Sequence, residues 1–178
     1  MYQGTNKTAI ASQKQVAGAL MKLMQEKHFN DISISELCKL AGVSRQTFYI
    51  LFQTKENVII YMMHDQYAYS ANDYCDGKLT LQKFCDGYAE YIITNKQFLK
   101  TLVENNVEYL LYDSLYAALT CESCQNTMCT KHRTYAAHYL SGAIVSTIKA
   151  YVEDGCKQPL PQLKEIISTL FGGKLFTE

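Results

Sequence analysis

The chain has 178 residues, and its 17 Lys and Arg are matched by 17 Asp and Glu, with four His besides. Apolar residues make up 48% and charged residues 19%, a globular balance that excludes a disordered chain, and two Pro exclude a collagen-like one. The longest apolar run, Val58 to Met63, is far too short to cross a bilayer, so no membrane partner is expected.

The N-terminal stretch is polar, without an apolar signal core, and position 2 is Tyr rather than the Gly that myristoylation needs. Seven scattered Cys without an export signal are expected to be reduced thiols in a cytoplasm. Charge is uneven along the chain. Residues 1–60 carry seven basic and four acidic groups, whereas residues 61–178 carry ten and thirteen. A basic head on an acidic body suits nucleic-acid contact by the head.

Helical periodicity dominates. Val16, Leu20 and Leu23, with Ala17 and Met24 beside them, predict a first helix over 7–27. Residues 28–31 read as a loop. Ser33 and Glu36 then form a capping box, in which each side chain would satisfy a backbone N–H of the other. The short helix that follows ends at Gly42, where a left-handed turn has no steric cost. Ser44 caps a third helix, whose inward face is Phe48, Leu51 and Phe52, and Thr54 caps a fourth over about 55–70. Further helices are expected at 79–94, 97–105, 107–119, 132–153 and from Pro159 onward, with a polar, Cys-rich loop at 121–131. In the helix at 132–153, two apolar rows are expected: Tyr139, Ala143, Thr147 and Tyr151, and Leu140, Ile144 and Ile148.

The fold class is therefore all-α, with a helix-turn-helix module over 1–54 and a helical body over 55–178. Two short amphipathic helices joined by Ala41-Gly42-Val43 would place the second in a DNA major groove. Its first turn presents Arg45, Gln46 and Thr47, suited to guanine, adenine and the thymine methyl respectively. Tyr49, on the flank, and the hydroxyls of Ser33 and Ser44 are candidate phosphate contacts. Lys55 opens the next helix, where a cation opposes the dipole, so an anionic partner such as phosphate is expected. An Arg-Gln-Thr turn is also compatible with a solvated face.

Residues 41–59, AGVSRQTFYILFQTKENVI, resemble the core signature of TetR-type bacterial transcriptional regulators. Ala41, Gly42, Val43, Ser44, Thr47, Phe48, Tyr49, Phe52, Lys55 and Glu56 all match that pattern. One position departs: Leu51 stands where the family usually has a His or Tyr near the DNA backbone. Residues 95–102 and the segment 139–156, ending Glu153-Asp154-Gly155-Cys156, are similar to the subgroup of dihydroxyacetone-kinase-operon-type regulators. The resemblance implies a homodimer built from the last two helices, double-stranded operator DNA as partner, and a small-molecule effector. A repressor released from its operator by that effector is the expected form.

Of 14 Tyr, only Tyr2 and Tyr49 precede residue 61. Tyr88, Tyr91, Tyr109, Tyr112 and Tyr116 are candidates to line an amphipathic effector pocket, or equally to be core residues with wet tips. The last two helices could close a dimer or merely finish the monomer core. Cys121, Cys124, Cys129 and His132 have types that could bind zinc, and the first two could form a redox pair. The same segment could instead be helical with its Cys buried, and a zinc- or thiol-responsive sensor is the alternative function. No cofactor motif is present: there is no phosphate-cradling Gly loop, no H-E-x-x-H and no Gly-x-Ser-x-Gly, so no enzyme is expected.

Overall fold

The computed structural model describes residues 2, 4–74, 80–120 and 130–173. Among the described residues every regular element is a helix. In chain order these are α1 (Lys7–Glu26), α2 (Ile34–Ala41), α3 (Arg45–Leu51), α4 (Lys55–Tyr74), α5 (Leu81–Thr94), α6 (Lys96–Glu104), α7 (Tyr109–Thr120), α8 (Arg133–Glu153) and α9 (Leu160–Phe171). Among the described residues no helix is long and apolar enough to cross a membrane.

Helix starts follow the caps written in the sequence. Asn6, Ser33, Ser44 and Thr80 each accept a backbone N–H of the first turn with their side chains. Pro159 and Pro161 flank the start of α9, where a missing N–H is harmless. Three helices end in the same hydrogen-bonded, left-handed turn. The residues placed there are Gly42 (φ 69°) after α2, Asn106 (φ 56°) after α6 and Gly155 (φ 74°) after α8. In each case the next N–H reaches back five residues, to the carbonyl of Cys38, Leu102 or Tyr151.

The head closes on Val16, Leu20, Leu37, Phe48, Phe52 and Phe29, all essentially inaccessible to water. Helix α4 caps that cluster with Val58, Ile59 and Met63, and it also packs on α7. In the body, α5 packs on α9 and α7 on α8, while α6 touches both α8 and α1. One hydrophobic core runs through both regions.

The buried row of α8 takes Ile144, Ile148 and Tyr151 from the expected apolar rows and adds two small residues. It is Ala137, Ser141, Ile144, Ile148 and Tyr151, while Tyr139 is 62% exposed. The small residues lie inward where α7 packs on this helix, although a buried Tyr would remove more apolar area from water than Ala or Ser.

Candidate nucleic-acid interface

Helix α3 has only seven residues, so its stability comes from its ends and its neighbours. At its start the Ser44 hydroxyl accepts the Thr47 N–H at 3.0 Å and is hydrogen-bonded to the Thr47 hydroxyl at 2.8 Å. At its end, Asn57 donates to the Phe52 carbonyl at 2.7 Å, and the backbone N–H of Tyr2 donates to the Leu51 carbonyl at 2.8 Å. Gln13, itself buried, holds the Tyr2 carbonyl. The helix is thus pinned at both ends while one side stays in solvent.

That side consists of Arg45, Gln46, Tyr49, Ile50 and Gln53, with Thr47 half-buried at its margin. Tyr49 is 51% exposed and stands edge-on to the Phe48 ring. Ser33 and Ser44 are exposed, and each is engaged as a helix cap. Leu51 is buried, so the position where the family signature usually carries His or Tyr is core in this chain. Ile50, 65% exposed, is a member of this face that its residue type does not announce. Counting turns from Gln46 finds it, since residues four apart share a helix face.

Two expectations at this site need correction. The Glu36 carboxylate does not return to Ser33; it pairs with the Lys27 ammonium at 2.5 Å, tying α2 to the end of α1. Lys55 has no need of an anion beside it. Its ammonium donates to the Phe29 carbonyl at 2.6 Å and the Ile32 carbonyl at 2.7 Å, over the face of the Phe29 ring. Burial lowers its pKa below the ordinary lysine value, with Glu56 and Asp31 opposing that shift. The side chain clamps the turn at 28–32, which leads into α2.

The same turn is held from the body. Asn105 is buried at the end of α6. Its carbonyl oxygen accepts the Phe29 N–H at 2.7 Å, and its amide donates to Met24 and Thr101 carbonyls at 3.1 and 2.9 Å. Beside it lies an open cleft of about 520 Å³ between the end of α1 and α6, lined by Glu26, Lys27, His28, Thr101 and Glu104 among others. No feature of the sequence announces this junction, because its partners lie 76 and 81 residues apart.

The five Tyr expected to share a pocket are distributed over separate settings. Tyr88 is core: its hydroxyl donates to the Ile144 carbonyl at 2.5 Å and its ring packs on Phe84 and Phe171. Tyr91, one turn further along α5, is half-buried against the core. Tyr109 is half exposed. Tyr112 and Tyr116 enclose His138, the first by a 2.5 Å hydrogen bond and the second by stacking at 4.4 Å. Cys121, Cys124 and Cys129 lie outside the described residues, and His132 is exposed at the entry to α8. Cys38, Cys85 and Cys156 are buried free thiols, and burial raises the pKa of the first two. Among the described residues no three His, Cys, Asp or Glu side chains are grouped to hold a metal.

Two family models match the chain. Residues 18–62 match the bacterial regulatory proteins of the tetR family, and residues 80–173 match a transcriptional regulator C-terminal region of the same family. Over 70 residues the chain is 36% identical to the HTH-type dhaKLM operon transcriptional activator DhaS of Lactococcus lactis, a match spanning 39% of this chain and 37% of that relative. The fold is similar to the solved dihydroxyacetone kinase operon activator DhaS (TM-score 0.57, 22% identity, 93% of this chain and 97% of that one). It is also similar to the fatty acid degradation regulator FadR from Bacillus halodurans (TM-score 0.61, 15% identity, 99% and 100%). With both regions matched, and the second match alone spanning more than half of the sequence, the chain belongs to the TetR family of bacterial transcription regulators.

Proposed function

We propose that this regulator reads operator DNA through α3, with Arg45, Gln46 and Thr47 facing base edges and Tyr49, Ser33 and Ser44 facing the phosphates. The observation that carries this reading is the pinned helix whose solvent face bears the hydrogen-bonding side chains Arg45 and Gln46. Lys55 belongs to the scaffold of that face. The test is Arg45→Ala against duplexes enriched from a random library. A lost base contact costs about 1–3 kcal/mol of discrimination, and unchanged preference for enriched over random duplex refutes the groove assignment.

The active form on this reading is a homodimer joined through residues 132–171. A single recognition helix per chain needs a twin about 34 Å away to span successive grooves. On α8, Tyr135 and Tyr139 are 80% and 62% exposed, and they offer a second copy an apolar face. Light scattering at micromolar concentration decides this point.

Repression relieved by a small molecule completes the proposal. The hydroxyl of Ser141 is buried without a hydrogen-bond partner, three residues before the carbonyl that Tyr88 holds, and offers an amphipathic ligand a polar handle. The junction cleft lies elsewhere, at α1 and α6, so two regions are open to screening. A ligand releases DNA only if it prefers the released state, and operator must then weaken ligand binding by the same factor. Equal ligand affinity with and without operator removes this part. The L. lactis relative is named an activator, and a promoter-reporter assay separates the two signs.

A further inference from the structure

The face of α3 contains one residue whose side chain donates and accepts nothing. Among the described residues of the head, the large apolar side chains exposed to solvent are Leu40, Tyr49 and Ile50, and only the last two project from α3. Ile50 is the most exposed of the three, at 65%. Around a helix, Gln46 sits near the middle of the solvent arc, and Tyr49 and Ile50 follow one turn later on either side of it. An apolar side chain so placed, on a basic head and beside Arg45 and Gln46, has one apolar complement in a major groove. That complement is the C5-methyl group of thymine.

We infer that Ile50 is a specificity-determining residue that packs on a thymine methyl in each half-site. The inference rests on the reading of α3 as the groove helix and adds to it a named base feature. Four residues of helix advance about 6 Å, and base pairs rise about 3.4 Å, so the thymine lies within two pairs of the base that Gln46 contacts. The neighbouring polar side chains orient the helix by hydrogen bonds. Ile50 distinguishes a methylated pyrimidine from cytosine, which has no methyl to bury.

The experiment uses the full chain and duplexes enriched from a random library by the wild-type protein. Each thymine is replaced in turn by uracil, which removes the methyl and keeps every hydrogen-bonding group. At one thymine per half-site the wild type should lose about fourfold in affinity, the value of burying one methyl-sized group. Ile50→Ala should bind the thymine and uracil duplexes equally, with an unchanged melting temperature and the same mass in light scattering. Ile50→Val, which keeps a β-branched methyl pair, should retain part of the preference.

Uracil tolerated by the wild type at every position overturns the assignment, and this arm needs no variant to fold. Equal uracil penalties for wild type and Ile50→Ala overturn it as well. A change of mass in Ile50→Ala assigns the side chain to a protein contact instead. Failure to enrich any duplex refutes the DNA reading of α3 itself, whereas enrichment with methyl indifference refutes only the role of Ile50.

Discussion

Head and body use their aromatic side chains in opposite ways. In the head, Phe29, Phe48 and Phe52 are enclosed hydrocarbon, and Arg45 and Gln46 lie outside on α3. In the body, Tyr88 and Tyr151 join Phe98 in the core, and each enclosed Tyr brings a hydroxyl that must be satisfied. Tyr88 joins α5 to α8 through the Ile144 carbonyl, and Tyr151 reaches the Cys156 carbonyl beyond the end of its own helix. The core of the head is thus closed by shape, while Gln13, Asn57 and Lys55 fasten its turns and Arg45 and Gln46 are left in solvent. The body is held partly by directed bonds, and its polar groups are largely committed to its own helices.

The strongest test of that contrast is Phe48→Ala. Phe48 is wholly enclosed, and removing it should lower the stability of the chain by about 3–5 kcal/mol, read by chemical denaturation. A loss below about 1 kcal/mol would mean that the head core collapses around the cavity and is not held by shape. Next in size is Asn105→Leu, which strands the Phe29 N–H and the Met24 carbonyl at a cost of about 2–3 kcal/mol. Amide exchange at Phe29 should accelerate in this variant before that of the α8 core does.

Lys55→Met sharpens the contrast within the head. Leaving two carbonyls without their ammonium should cost about 1–2 kcal/mol of stability, while the salt dependence of DNA binding stays as it was. A salt slope shallower by about one would return Lys55 to the phosphate backbone. The smallest effect belongs to the body. Tyr88→Phe should cost about 0.5–1.5 kcal/mol, because the ring stays packed and one hydrogen bond is lost. If it costs nothing, the body is held by shape as well.

How far a sequence can be read follows from the range of each interaction. Ser33, Ser44 and Gly42 act on residues within one turn, so their roles as caps and stop are written locally, and the helix-turn-helix is legible in the amino-acid order alone. The arc of α3 that faces solvent is legible in part: Arg45 and Gln46 stand out by their chemistry, whereas Ile50 does not, because its type points inward by habit. Lys55 illustrates the opposite limit. The dipole argument correctly demands partial negative charge nearby, but the supplier is a turn more than twenty residues back along the chain. In α8 the apolar rows can be counted, yet which row is buried depends on how closely α7 packs, and Ala137 and Ser141 win over the larger Tyr139.

Asn105 carries a consequence for how the molecule melts. A turn clamped by Lys55 from the head and by Asn105 from the body cannot loosen on one side alone, and the hydrophobic core beneath it is continuous. The helix-turn-helix head therefore has no private transition. Calorimetry of the intact chain should give one endotherm for head and body, with calorimetric and van't Hoff enthalpies equal for each folding unit. Heat, like denaturant, should meet this protein as a single cooperative object.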